Sequence, residues 1–124
     1  MHILAEGLTI SEVQHANVQR ANRWHGGDFR EWSGLEWAGA MCGEAGEAAN
    51  IAKKLKRLES GIDGNAFSQR KLNGSTLVAE LGNECADTFF YLVLLCARYD
   101  IDLAECVRDK FNAKSVDMGF PERL

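Results

Sequence analysis

The stretch that decides the fold is ECADTFFYLVLL, residues 84–95. On a helical wheel its large apolar side chains point in nearly all directions: Phe89, Phe90, Val93, Leu94 and Leu95. A helix that is apolar all round is buried on all sides. Four helices of this size cannot wrap it completely, so we expect an oligomer, at least a dimer.

Helical patterns flank this stretch on both sides, and no segment alternates as a strand would. A long polar, glycine-rich loop is expected over residues 60–75. Thr9 or Ser11 before Glu12, and Asp102 before Glu105, have the spacing of helix caps. The predicted helices run from about Thr9 to Trp24, Ser33 to Glu59, Thr76 to Tyr99 and Leu103 to Val116. We therefore predict an all-α fold, a four-to-five-helix bundle forming a single domain over residues 1–124.

The composition fits one modest domain and excludes few functions. With 18 acidic and 14 basic residues the formal charge is −4, which gives no electrostatic footprint for duplex nucleic acid. The longest apolar run, residues 89–97, falls far short of the roughly 18 residues that indicate a membrane span. No signal-peptide pattern opens the sequence, so a cytoplasmic protein without membrane or nucleic-acid partners is expected.

The cysteines occupy helical positions and form no C-x-x-C pair. We interpret them as reduced core thiols rather than disulfides or zinc ligands: Cys42, Cys85, Cys96 and Cys106.

The second predicted helix places acidic residues beside its apolar face. The apolar stripe comprises Trp37, Met41, Ala48, Ile51 and Leu55. Glu44 falls within that stripe, and Glu47 lies on its edge with Lys54 two turns later. A salt-bridged surface helix would explain the glutamates, but no base lies three or four residues from either one.

The third predicted helix repeats the pattern. Glu80, Glu84 and Asp87 form a strip that Tyr91, a candidate for contact with the substrate, continues. The strip borders an apolar stripe of Leu81, Cys85, Thr88 and Leu92. Two helices with unpaired acidic pairs need a shared counter-charge, and an all-carboxylate set favours Mg²⁺ or Mn²⁺. A di-iron bundle is a rival, although it needs Glu-x-x-His motifs that these helices lack. Acidic faces solvated in a groove are the other alternative.

Several further side chains are candidates for contacts with a phosphorylated ligand. Lys53, Lys54, Lys110 and Lys114 would meet phosphate oxygens, or they are simply solvated. Asn17 interrupts an apolar stripe, so it is either a satisfied core amide or a partner for a base edge. Gln14 is a further candidate for the base pocket. Trp24 and Trp37 either stack on a base or belong to the core.

Three motifs stand out along the chain: GEAGEAANIAKK (residues 43–54), ECADTFFYLVLL (residues 84–95) and KFNAKSVDMGFPERL (residues 110–124). Together they resemble the MazG-like group of all-α nucleoside triphosphate pyrophosphohydrolases. The resemblance implies metal ligands at Glu44, Glu47, Glu84 and Asp87. It also implies substrate contacts at Asn50, Lys54, Lys110, Asn112 and Lys114. One departure is Gly43, where many members carry an additional glutamate.

The resemblance implies a Mg²⁺-dependent reaction, with Mn²⁺ as a substitute and two or three ions per site. Members cleave the α–β phosphoanhydride and release a nucleoside monophosphate and pyrophosphate. They are usually homodimers or homotetramers whose active site a neighbouring subunit completes. Glu47 or Glu80 would orient or deprotonate the attacking water, and Lys54 and Lys110 would stabilise phosphate charge.

The substrate and the biological role stay open at the level of sequence. A (deoxy)guanosine triphosphate and control of the nucleotide pool, as in viral members, rest on resemblance alone. The alternatives are a helical interaction module without catalysis and a carboxylate-bridged metal-binding bundle.

Overall fold

The computed structural model describes residues 7–24, 26–61 and 74–124. Within these residues it contains four α-helices, one short 3-10 helix (Phe29–Glu31) and no strand. The α-helices are α1 (Ile10–Trp24), α2 (Gly34–Glu59), α3 (Gly74–Arg98) and α4 (Leu103–Met118). The predicted all-α class is confirmed, and each helix boundary agrees with the sequence to within about two residues. The predicted loop falls largely on residues 62–73, which lie outside the described residues.

The predicted caps explain where α1 and α4 begin. The Thr9 hydroxyl accepts a hydrogen bond from the Glu12 N–H at 3.0 Å. The Asp102 carboxylate accepts one from the Glu105 N–H at 3.2 Å. Both satisfy N–H groups that the first helical turn leaves free. At its other end α4 stops at Gly119, whose φ of 72° is left-handed, a conformation that glycine adopts without strain.

The chain divides into two compact units. The terminal unit comprises the described residues up to 34 together with 93–124, and the central unit comprises 35–61 and 74–92. The core of the terminal unit is built from Ala21, Phe29, Val93, Leu94 and Cys96. The central unit buries Trp37, Ile51 and Leu77. The prediction of a single domain and the prediction of an oligomer both stay predictions.

Direct hydrogen bonds hold the α3–α4 turn of the terminal unit. The Gln14 amide donates to the Ile101 carbonyl at 2.8 Å and accepts from the Leu103 N–H at 3.4 Å. The Arg30 guanidinium donates to the Arg98 carbonyl at 3.2 Å and pairs with Asp100 at 2.7 Å. Together these contacts satisfy backbone groups that the end of one helix and the start of the next leave open.

Gly34 begins α2 in close contact with Tyr99. A Cβ atom at position 34 would collide with the Tyr99 phenol ring. Because glycine has no Cβ atom, the Tyr99 ring can pack directly against the backbone at this position.

The cysteine prediction is correct in part. The four thiols are free, but Cys42, Cys85 and Cys106 are exposed and Cys96 alone among them is buried. The predicted apolar stripe of α3 is therefore wrong at Cys85. The helix instead turns Leu77, Leu81 and Tyr91 inward, since these larger side chains remove more apolar surface from water than a thiol does. Glu84 lies on this inward strip.

No helix in the described part of the chain combines the length and the apolar character needed to cross a bilayer.

Candidate metal centre

Three carboxylates of the central unit converge between α2 and α3. Each of Glu44, Glu47 and Glu84 offers an oxygen, and these atoms lie within 4.8 Å of one another. Glu44 and Glu84 are half-buried, whereas Glu47 is exposed. At these separations three like charges repel strongly, so the arrangement favours either protonation or a bound cation.

Two oxygens of this cluster are buried and unpaired. Glu44 Oε2 and Glu84 Oε2 have almost no contact with solvent and accept no hydrogen bond from the described residues. No lysine or arginine of the described residues pairs with any of the three carboxylates. Buried polar atoms are almost always hydrogen-bonded, so two unpaired oxygens within one cluster call for a ligand that supplies positive charge.

The local sequence explains how the helices bring these residues together. Trp37 lies seven residues before Glu44 on α2, and Tyr91 lies seven residues after Glu84 on α3. The two aromatic rings are in contact, with centroids 5.9 Å apart and planes inclined at 33°. Because both pairs meet, α2 and α3 run antiparallel within this unit. Ile51 and Leu77 lie seven residues from the same glutamates in the other direction, and both are buried.

Proximity to the other two glutamates favours the neutral form of Glu84. Once protonated, the Glu84 carboxyl can donate a hydrogen bond to Glu44 or to Glu47, and this gain, larger toward Glu44, raises the pKa of Glu84 from its ordinary 4.5 to about 7. Burial and repulsion from the two neighbouring charges act in the same direction. The Thr88 hydroxyl does not take part in this effect, since it donates to the Glu84 backbone carbonyl at 2.8 Å.

Asp87 and Glu80 stand outside the cluster of three. Asp87 follows Glu84 by one helical turn and is half-buried, while Glu80 precedes it by one turn and is exposed. Neither contributes an oxygen to the group within 4.8 Å. Asp87 as a fourth metal ligand and Glu80 as a catalytic residue stay predictions.

The substrate-binding candidates of the central unit are distributed over exposed and buried positions. Asn50 and Lys54 follow the glutamates on α2 and are both exposed, while Tyr91 is half-buried. Trp37 is only 1% exposed and packs against Tyr91, so in this conformation it is a core residue. This is one of the two roles that the sequence left open for it.

The other substrate-binding candidates lie in the terminal unit. Asn17 is 6% exposed and accepts a hydrogen bond from Arg20 at 3.2 Å, which fits the role of a satisfied core amide. Trp24 is 75% exposed, and the Arg20 guanidinium lies 5.4 Å from the centre of its ring. The indole therefore keeps surface available for stacking.

The α4 candidates are solvent-facing except for one side chain. Lys110 and Lys114 are exposed. The Asn112 amide is already occupied, because it accepts from the Leu124 N–H at 2.9 Å and donates to the Leu124 carbonyl at 3.4 Å. A ligand that uses Asn112 must displace this contact.

One feature of the site was missed at the level of sequence. The sequence leaves Trp37 as either a core residue or a stacking partner for a base and makes Tyr91 a candidate for contact with the substrate, but it did not lead us to predict their contact with each other. The signal was present in their equal spacing from Glu44 and Glu84, in opposite directions along the chain. In an antiparallel helix pair such spacing places two residues at the same level.

The donor set fits a hard divalent cation. The cluster offers carboxylate oxygens and no sulfur or imidazole, which is the ligand chemistry of Mg²⁺ and Mn²⁺. The two unpaired oxygens are the part of the arrangement that such an ion would satisfy.

Comparison of the chain with protein-family models gave no match, and comparisons with curated proteins and with solved structures gave none either.

Proposed function

We propose that the protein is a divalent-metal-dependent nucleoside triphosphate pyrophosphohydrolase, which cleaves the α–β phosphoanhydride to a monophosphate and pyrophosphate. The observation that carries the proposal is the pair of buried, unpaired oxygens on Glu44 and Glu84, facing a third carboxylate on Glu47. The reaction itself comes from the motif resemblance.

Glu44, Glu84 and Glu47 would hold the metal, with Asp87 as the fourth ligand. When bound, Mg²⁺ or Mn²⁺ supplies neutralisation of the triphosphate charge and acidification of water. The number of two or three ions stays part of the proposal.

The chain's own residues supply the proton transfer and the placement of the phosphates. Glu47 is the exposed member of the cluster, so its carboxylate is available to accept a proton from the attacking water. Glu80, exposed one turn before Glu84, is the alternative base. Lys54 lies two turns after Glu47 on the same helix and is exposed, so its ammonium can reach phosphate oxygens outside the cluster.

The remaining contacts would recognise the nucleotide. Asn50 and Tyr91 lie on the helices that carry the cluster, and Trp24 offers an exposed ring for stacking. Lys110, Asn112 and Lys114 would contact phosphates in a homodimer or homotetramer whose active site is completed by a neighbouring subunit. A guanine base would be the preferred one, and control of the nucleotide pool would be the role.

The test is release of pyrophosphate from a panel of canonical and modified nucleoside triphosphates with Mg²⁺. We expect activity that EDTA abolishes and that Glu44→Gln and Glu84→Gln both lose. Glu59→Gln, an exposed position in the last turn of α2, is the matched control and should keep full activity. Absence of pyrophosphate with every triphosphate would contradict the proposal.

A second candidate is a carboxylate-bridged metal-binding bundle without hydrolysis. The observation that favours it is the cluster itself, whose unpaired carboxylate oxygens could hold a cation whether or not a nucleotide binds. Iron-dependent absorbance after aerobic loading, together with no pyrophosphate release, would select this candidate.

A further inference from the structure

We propose that Trp37 and Tyr91 are positioning residues for the carboxylate cluster, fixing the rotation and register of α2 against α3 so that Glu44 and Glu84 face each other. This inference rests on the metal site within the proposed function. It assigns Trp37 a role in building the site instead of stacking on the substrate.

Each aromatic ring and the glutamate on the same helix project in nearly the same direction. Seven residues turn an α-helix by about 20° less than two full turns, so Trp37 and Glu44 project from almost the same face of α2. The same holds for Glu84 and Tyr91 on α3. Any rotation that removes the Trp37 ring from its packing also swings Glu44 away from Glu84.

Apolar packing on either side of the cluster opposes the repulsion between its carboxylates. Glu44 and Glu84 each carry a buried oxygen without a hydrogen bond, so the glutamates alone do not hold the helices together at this level. Trp37 is 1% exposed and its ring lies against that of Tyr91. Ile51 and Leu77 are buried at the same distance on the other side, about 10 Å along each helix. Apolar burial on both sides thus holds the carboxylates in place.

A metal site tolerates little displacement of its ligands. A site for a metal works only when its ligands stay within about 0.5 Å of the required geometry, and residues behind the ligands provide this. Loss of such a supporting contact typically costs about 10- to 100-fold in metal affinity. An aromatic ring pair one layer from the ligands is placed to provide that support.

The test measures Mn²⁺ affinity by electron paramagnetic resonance of free Mn²⁺, without nucleotide. We expect Trp37→Leu and Tyr91→Leu to weaken Mn²⁺ binding about tenfold. Trp37→Phe and Tyr91→Phe keep a ring at the contact and should stay within about twofold of the wild type.

The matched control is Val93→Ala. Val93 is 0% exposed but belongs to the terminal unit, so its truncation should lower stability while both rings of the pair stay present. We expect its Mn²⁺ affinity to equal that of the wild type. If Trp37→Leu does not fold, Trp37→Phe combined with Tyr91→Leu provides the same comparison.

The outcomes separate this inference from the proposed function. Equal weakening by Trp37→Leu and Val93→Ala, or no weakening by either, would overturn the positioning role whatever the activity. A wild-type protein that binds Mn²⁺ but releases no pyrophosphate would overturn the proposed function and leave the positioning role supported by the affinities. A wild-type protein without affinity for Mn²⁺ would overturn both.

Discussion

The α3–α4 turn of the terminal unit and the carboxylate cluster of the central unit differ in how their charged groups are paired. At the turn, Arg30 pairs with Asp100 and Gln14 satisfies two backbone groups. In the cluster, Glu44 and Glu84 meet with two buried oxygens unpaired. The first arrangement needs nothing further from outside the chain. The second is complete only with a cation or a proton, which is what distinguishes a binding site from a structural contact.

The substitution with the largest expected effect changes Glu47, the exposed member of the cluster. Glu47→Gln should lower turnover by about 100-fold or more, because the amide neither accepts a proton from water nor neutralises a cation. Circular dichroism should stay unchanged, since Glu47 is exposed. Pyrophosphate release at saturating nucleotide measures the effect, with Glu59→Gln as control. Turnover close to that of the wild type would remove Glu47 from the mechanism.

The next largest effect is the pH dependence of the stability of the metal-free protein. Unfolded Glu84 ionises near its ordinary pKa of 4.5, whereas the folded protein holds this proton up to a pKa of about 7. The metal-free protein should therefore lose stability as pH rises from about 4.5 to about 7, and then lose no more from this group. Saturating Mn²⁺ should restore stability at pH 8.

Urea unfolding in EDTA at pH 5 and pH 8 measures this dependence. Glu84→Gln removes the titrating group, so the fall in stability between the two pH values should be smaller than in the wild type. Glu59→Gln should keep the wild-type difference. Parallel pH profiles for the wild type and Glu84→Gln would show that the cluster does not hold a proton on Glu84.

A third prediction concerns packing in the terminal unit. Gly34→Ala should destabilise the protein by about 1–2 kcal/mol, because the added Cβ overlaps the Tyr99 ring. In a Tyr99→Ala background the same substitution should become neutral or slightly stabilising, since alanine is the better helix former. The free energies of unfolding of the four proteins form a double-mutant cycle. Additive effects would contradict the contact.

The substitution with the smallest expected effect removes the ion pair between Arg30 and Asp100 in the terminal unit. Arg30→Ala should cost at most about 1 kcal/mol, since both partners of the ion pair are substantially exposed. Mn²⁺ affinity should not change. Urea unfolding and Mn²⁺ titration of one preparation measure both quantities. A loss of Mn²⁺ affinity as large as that of a cluster variant would remove the distinction between the two regions.

Sequence patterns predicted the helices well because their signals are local. Thr9 and Asp102 mark the starts of α1 and α4 through hydrogen bonds that span only three residues. The sequence predicts that Glu44, Glu47, Glu84 and Asp87 converge, because residues three or four apart share a helix face. The first three meet in the structure, and Asp87 as the fourth ligand stays a prediction.

Features that depend on two helices at once were harder to predict. On α3 the acidic and apolar strips are adjacent, so a modest rotation decides whether Cys85 or Glu84 faces inward, and large side chains elsewhere on the helix set that rotation. For the same reason the sequence left Trp37 as either a core residue or a substrate contact. Only its contact with Tyr91 in the structure identifies it as a core residue. The Asn112 contact with Leu124 depends on the chain turning back after Gly119, which the pattern of α4 does not encode.

The most direct test of the central claim is anomalous scattering from a crystal soaked in Mn²⁺. We expect a peak between α2 and α3, within coordination distance of oxygens from Glu44, Glu47 and Glu84, and no such peak in Glu84→Gln. A soaked wild-type crystal without a peak there, with the three side chains turned apart, would contradict the account.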